Sequence, residues 1–206
     1  FRLQYDFQKL KEALPWVVSN MAGLLLLRMD TYMIDLMLSD TSSSAQYGMA
    51  CTFNEFWWFV PVSLGVFWSK DILSYAKRIN FYYAIVCSLA FLFILFSWSF
   101  GDYFISVILG KDFAESALLF KILSISGLGV AIFPILKWHL VRLNMDRNVY
   151  IIQLAALLLN FGLNLWFIPI SGLIGAAIAS SVSLNLAIFC FMIWMKFFRR
   201  KHRNKL

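Results

Sequence analysis

The stretch LLLLRMDTYMID, residues 24–35, begins as the middle of a membrane helix and is then interrupted by Arg28, Asp30 and Asp35. A charge at the centre of a span costs at least about 2.5 to 3.5 kcal/mol on insertion scales. Ionisable groups so placed face a wet cavity or partners within a bundle rather than lipid. What the stretch means therefore depends on whether its surroundings are membrane, and on which way each charge points.

Composition answers the first question. Of 206 residues, 61% are hydrophobic, 18% aromatic and 14% charged, with a mean hydropathy of +0.74. A soluble domain is about 45 to 50% apolar and about 25% charged. The balance is that of an integral membrane protein. The opening FRLQYDFQKLKEAL is amphipathic and charged, without the apolar core of a signal peptide, and no Met precedes it, so the sequence reads as part of a longer chain.

About 20 apolar residues cross the hydrocarbon core, and six segments meet that length: 15–38, 45–67, 81–105, 117–139, 148–169 and 172–195. Breakers separate them: SDTSSS (39–44), SKDILSYAKRIN (69–80), the loop from Gly101 to Ser116, RLNMDR (142–147) and IPISG (168–172). The expected fold is all-α, one six-helix transmembrane lobe over residues 1–206.

Orientation follows from the bias of Lys and Arg toward cytoplasmic loops. Arg2, Lys9, Lys11, Lys70, Lys77, Arg78, Arg142, Arg147 and the tail from Lys196 to Lys205 fall on one side, and Lys111 alone on the other. Both termini are then cytoplasmic. Indoles prefer the two interfaces, and the tryptophans agree: Trp16, Trp68, Trp138 and Trp194 near cytoplasmic ends, Trp98 and Trp166 near outer ends. Basic residues directly after a last span signal topology and anionic lipid, so the tail KFFRRKHRNKL and a pI near 9.4 do not point to nucleic acid.

Direction is set by 100° of rotation per residue. Arg28 and Asp35 share a face, with Asn20 and Thr31 within about 80° of it, whereas Asp30 points nearly the opposite way. At ~1.5 Å per residue from Pro15, Arg28 lies about 20 Å into the span, Asp30 slightly deeper, and Asp35 near the outer headgroups. The second span, an antiparallel neighbour, carries Glu55 in FNEFWWF, about 15 Å from its outer end at Gln46. Glu55 is thus at a depth where it meets Arg28 or Asp30. The group either forms a structural bridge or lines a cavity for a cation, a proton or an anionic substrate.

On the fifth span Gln153, Asn160 and Asn164 form an amide stripe, which either joins helices or lines a polar cavity. The sixth span repeats small residues, Gly172, Ala176 and Ser180 beside Gly175, Ala179 and Ser183, at a spacing for close packing. Lys121, one turn into the fourth span, is expected to reach back to the outer interface. Cys51, Cys87 and Cys190, like His139 and His202, lack metal-ligand spacing, and no cofactor motif or catalytic constellation is present. The residues alone thus lead to a six-span transport or channel module with a charged cavity.

Three motifs in order carry a resemblance: LRMDTYMIDLMLSD followed by AQYGMACTFNEFWWFVPVSL, then ILGKDFAESALLFKIL, then LNFGLNLWFIPISGLIGAAIASSVS. Together they resemble the C-terminal lobe of polysaccharide and O-antigen flippases in the MATE-like (MOP) exporter superfamily. The resemblance implies a preceding six-helix lobe, a central cavity, and alternating-access transfer of an undecaprenyl-diphosphate-linked oligosaccharide across the bacterial inner membrane. Carried over, Arg28 is a cavity cation for the diphosphate or acidic sugars, and Asp30 and Glu55 are cavity acids for ion coupling or sugar hydrogen bonds. The alternatives are a cation-coupled multidrug or metabolite exporter of the same superfamily, a membrane glycan polymerase or ligase, and a structural subunit whose charges neutralise one another.

Overall fold

A computed structural model describes the backbone of residues 7–38, 41–74 and 78–203, with the side chains of 7–12, 15, 41, 111 and 197–203 excepted. His202, Arg2, Lys9, Lys11, Lys77, Lys111 and the basic tail after Lys196 lie outside the described side chains. Among the described residues seven helices follow one another: α1 (Phe7–Leu38), α2 (Thr41–Phe67), α3 (Ser69–Ser74), α4 (Ile79–Leu109), α5 (Ala114–Ser124), α6 (Gly127–Arg142) and α7 (Arg147–Arg203). A 3-10 turn, Lys111–Phe113, joins α4 to α5, and the described residues contain no strand.

An unbroken helix of the 57 residues in α7 would be about 85 Å long. It is broken at Gly172, whose φ of 57° and ψ of −132° are not helical. Asn160 Nδ2 consequently lies 3.1 Å from Ser180 Oγ, where 20 residues of straight helix would separate them by about 30 Å. The two limbs, 147–171 and 173–203, fold back on each other at the sequence IPISG. Gly175 lets them meet, since a Cβ there would lie 2.2 Å from the Phe167 carbonyl oxygen. One glycine supplies the left-handed turn and the other the close approach.

The segment 117–139, expected as one continuous helix, is interrupted between α5 and α6. Around Ser124 to Gly127 the backbone bonds tighten to i→i−3, with Ile125 N on Ile122 O at 3.2 Å and Ser126 N on Leu123 O at 3.0 Å. Ser124 Oγ and Ser126 Oγ donate back to Lys121 O and Leu123 O, both at 2.6 Å. Serines compete with the helical ladder in this way. Two side chains of the second limb of α7 complete the repair, Ser181 on Ile122 O at 2.8 Å and Asn185 on Ile125 O at 2.9 Å.

Although α1 and α2 are joined by a short connection, α1 packs chiefly on α7, while α2 packs on α5 and α6. The largest apolar cluster joins Met33 and Ile34 of α1, Tyr47 of α2, Phe120 of α5 and Ala176 of α7. Ala176 and Ala177 lie in this cluster, and Ala179 and Ser183 of the small-residue repeat are also fully buried.

Among the described residues three helical stretches, Ile79–Leu109, Ala114–Arg142 and Arg147–Lys196, are long and apolar enough to cross a membrane. α1 and α2 have the length, 32 and 27 residues, but charges and polar side chains lower their hydropathy. α4 turns much apolar surface outward, including Phe81, Phe91, Leu92 and Phe100, an arrangement that suits contact with acyl chains. Lys121, expected to reach back to the outer interface, pairs with Asp102 of α4 at 2.5 Å.

Candidate functional site

Asp30 is 3% exposed, at the point where α1, α2 and both limbs of α7 converge. Its carboxylate accepts hydrogen bonds from Tyr47 Oη of α2 at 2.8 Å, from Asn164 Nδ2 of the first limb at 2.5 Å, and from Ser180 Oγ of the second limb. Asn164 Nδ2 also donates to Asn160 Oδ1 at 3.0 Å, and Asn160 Nδ2 donates to Ser180. The i, i+4 spacing of Asn160 and Asn164 puts both amides on the face that meets α1. Both are fully buried.

No described cation lies within ion-pair distance of Asp30. Three donors therefore replace the water that a carboxylate loses on burial. Asn164 Oδ1 is buried and has no hydrogen-bond donor, so an acceptor is left open beside the carboxylate. A cavity of about 40 Å³ adjoins the cluster, lined among others by Asp30, Cys51, Glu55, Trp58, Ser126 and Ser180. About 10 to 15 Å³ of such space is enough to hold one water. The cavity therefore has room for a few waters or a small cation, and none for a sugar ring.

Arg28, two residues from Asp30, occupies a different environment. Its guanidinium pairs with Glu55 Oε2 of α2 at 3.0 Å, with 53% of the arginine side chain and 22% of the glutamate side chain exposed. Asp35 is exposed and accepts a hydrogen bond from Ser44. Gln153 is also apart from the Asp30 cluster: it accepts from Ser19 Oγ of α1, and seven residues of helix, about 10 Å, separate it from Asn160. Thus Asp30, Asn160 and Asn164 come together, Arg28 and Glu55 come together, and Glu55 touches both groups through the small cavity. Gln153 joins neither.

Two members of the cluster were not singled out as site residues from sequence. Ser180 reads as one more small residue in a packing repeat, and Tyr47 as an aromatic in an apolar run. The only signal for Ser180 was a hydroxyl in a stripe that packing alone fills with Gly or Ala. Among the described residues no group of three or more His, Cys, Asp and Glu is placed to hold a metal ion. Asp30 is the lone carboxylate of its cluster, and any cation there would be held by one charge and several neutral oxygens.

Compared with family models, with curated proteins and with solved structures, the chain matches none. The class that the fold itself defines is a protein all-helical over the described residues, with three helices among them long and apolar enough to span a membrane.

Proposed function

We propose that the chain is a six-pass transporter lobe of the MATE-like exporter type, acting without catalysis as a flippase for an undecaprenyl-diphosphate-linked oligosaccharide in the bacterial inner membrane. The passes are α1, α2, α4, α5 with α6, and the two limbs of α7, with both termini cytoplasmic. A preceding lobe completes the passage. The reading rests on one observation above all: a buried carboxylate, Asp30, ligated from α1, α2 and both limbs of α7, with a separate, partly exposed Arg28–Glu55 pair beside it.

The two groups suit different tasks. The Asp30 cluster has room for a proton or a small cation, and binding there alters bonds among three helices, as ion coupling requires. Arg28 presents a guanidinium that matches phosphate and carboxylate oxygens, and Glu55 keeps it paired between substrates. The same ion site serves the second reading, a cation-coupled drug or metabolite exporter, and the open acceptor of Asn164 favours ion coupling in either case.

The test is polysaccharide export by the full-length protein. Arg28→Ala and, separately, Asp30→Asn are expected to abolish surface polysaccharide while membrane insertion stays normal. Wild-type polysaccharide levels in both well-inserted variants would sink the proposal, and lost resistance to a drug with normal polysaccharide would transfer it to the second reading.

A further inference from the structure

Of the described Lys and Arg side chains, two are half-buried, Lys121 and Lys137. Lys121 has Asp102 at 2.5 Å. Lys137 has no anion within 4.0 Å and no hydrogen-bond acceptor among the described residues; its Nζ lies 5.2 Å from the ring centroid of Trp16 and 5.8 Å from that of Trp138. Indole faces attract the ammonium through their quadrupole, but they leave its three N–H donors without oxygen acceptors. A half-buried ammonium in that condition draws its acceptors from its open side, where water or headgroup oxygens lie.

The two rings are fixed walls rather than loose surface groups. Trp16 of α1 packs on the cluster of Ile132, Leu136 and Leu140, and Trp138 of α6 on the cluster of Ile72, Ile79 and Tyr82. Lys137 stands five residues before the end of α6 at Arg142, about 7.5 Å along the helix. That is within the reach of a lysine stem from hydrocarbon to the headgroup zone, where indoles also concentrate. Arg142 and Arg147 follow at the same end of the bundle, both exposed, and add positive potential at the entrance.

We propose that Lys137, between Trp16 and Trp138, binds the phosphate of a lipid headgroup. The phosphate oxygens supply the acceptors the indoles lack, and the first methylene groups of the lipid lie against the rings. Both a membrane phospholipid and a polyprenyl diphosphate carry this group. The site needs a chain embedded in a bilayer but not oligosaccharide transport, so its failure and that of the flippase reading are distinguishable.

Acylation of lysines by an amine-reactive reagent, read by peptide mass spectrometry, tests the site in the full-length protein in neutral detergent. The probes are dioleoylphosphatidylglycerol, a polyprenyl diphosphate and, lacking phosphate, dioleoylglycerol. Modification of Lys137, normalised to the exposed Lys70 and Lys196, is expected to slow several-fold with a phosphate-bearing probe and to be unchanged with dioleoylglycerol. Protection by phosphatidylglycerol assigns the site to membrane lipid, and protection by the diphosphate alone assigns it to cargo. Equal rates with all three probes, or equal protection by dioleoylglycerol, would overturn the proposal. In Lys137→Met, the rise in melting temperature produced by the protecting lipid is expected to disappear while the melting temperature in neutral detergent is retained; a full lipid-dependent rise in that variant would also overturn it.

Discussion

Two residues apart in one helix, Asp30 and Arg28 show how differently a bundle treats charge. Asp30 has three donors from three other helical segments and is sealed from solvent, whereas Arg28 has one carboxylate partner and more than half its side chain exposed. The first arrangement can change only if helices move. The second can exchange its partner with a side-chain rotation. A buried, polyligated group is therefore suited to govern conformation, and an open ion pair to receive a ligand.

The comparison breaks most completely at Gly175. A valine there would place carbon against the Phe167 carbonyl, where an ideal Cβ already lies 2.2 Å away, and the limbs of α7 would have to part. Overpacking costs typically about 1 to 3 kcal/mol, and a clash with backbone belongs at the upper end. Thermal unfolding in detergent should show the largest loss of any variant considered, with Asn160 and Ser180 no longer bonded while Arg28 and Glu55, whose bond joins α1 to α2 and involves neither limb, stay paired. Next comes Tyr47→Phe, which removes one donor from the buried carboxylate at a cost of about 1 to 3 kcal/mol. Ser180→Ala should cost a similar amount, and Tyr47→Phe with Ser180→Ala should be non-additive, since both act on one group. Additive melting shifts would show that Asp30 is not their common partner.

Sequence periodicity separated Arg28 from Asp30 because 200° of rotation places two side chains on opposite faces whatever the fold. It located the α7 reversal at IPISG and the neighbouring faces of Asn160 and Asn164 for the same local reason. It did not foresee that α1 packs mainly on α7, more than 100 residues away, because partner choice between apolar helices depends on shape. The α5–α6 break escaped as well: SISG within an apolar run is tolerated as helix unless other helices supply donors such as Ser181 and Asn185 for the freed carbonyls. Ser180 was hidden by its size, which satisfies a packing repeat and a hydrogen-bond site equally.

The smallest expected stability effect is at Arg28, and it gives the sharpest separation of the two regions. An ion pair this exposed is worth ~0 to 1 kcal/mol, so Arg28→Glu combined with Glu55→Arg should melt within about 1 kcal/mol of wild type and keep the bridge with its ends exchanged. If Arg28 served only to tie α1 to α2, the exchange would restore function completely. If its guanidinium receives substrate from α1, the exchange moves that cation to α2, and export should remain deficient despite a stable, paired, inserted protein. Wild-type export by the exchanged pair would reduce Arg28–Glu55 to a fastening between helices and leave Asp30 as the one functional charge in LLLLRMDTYMID.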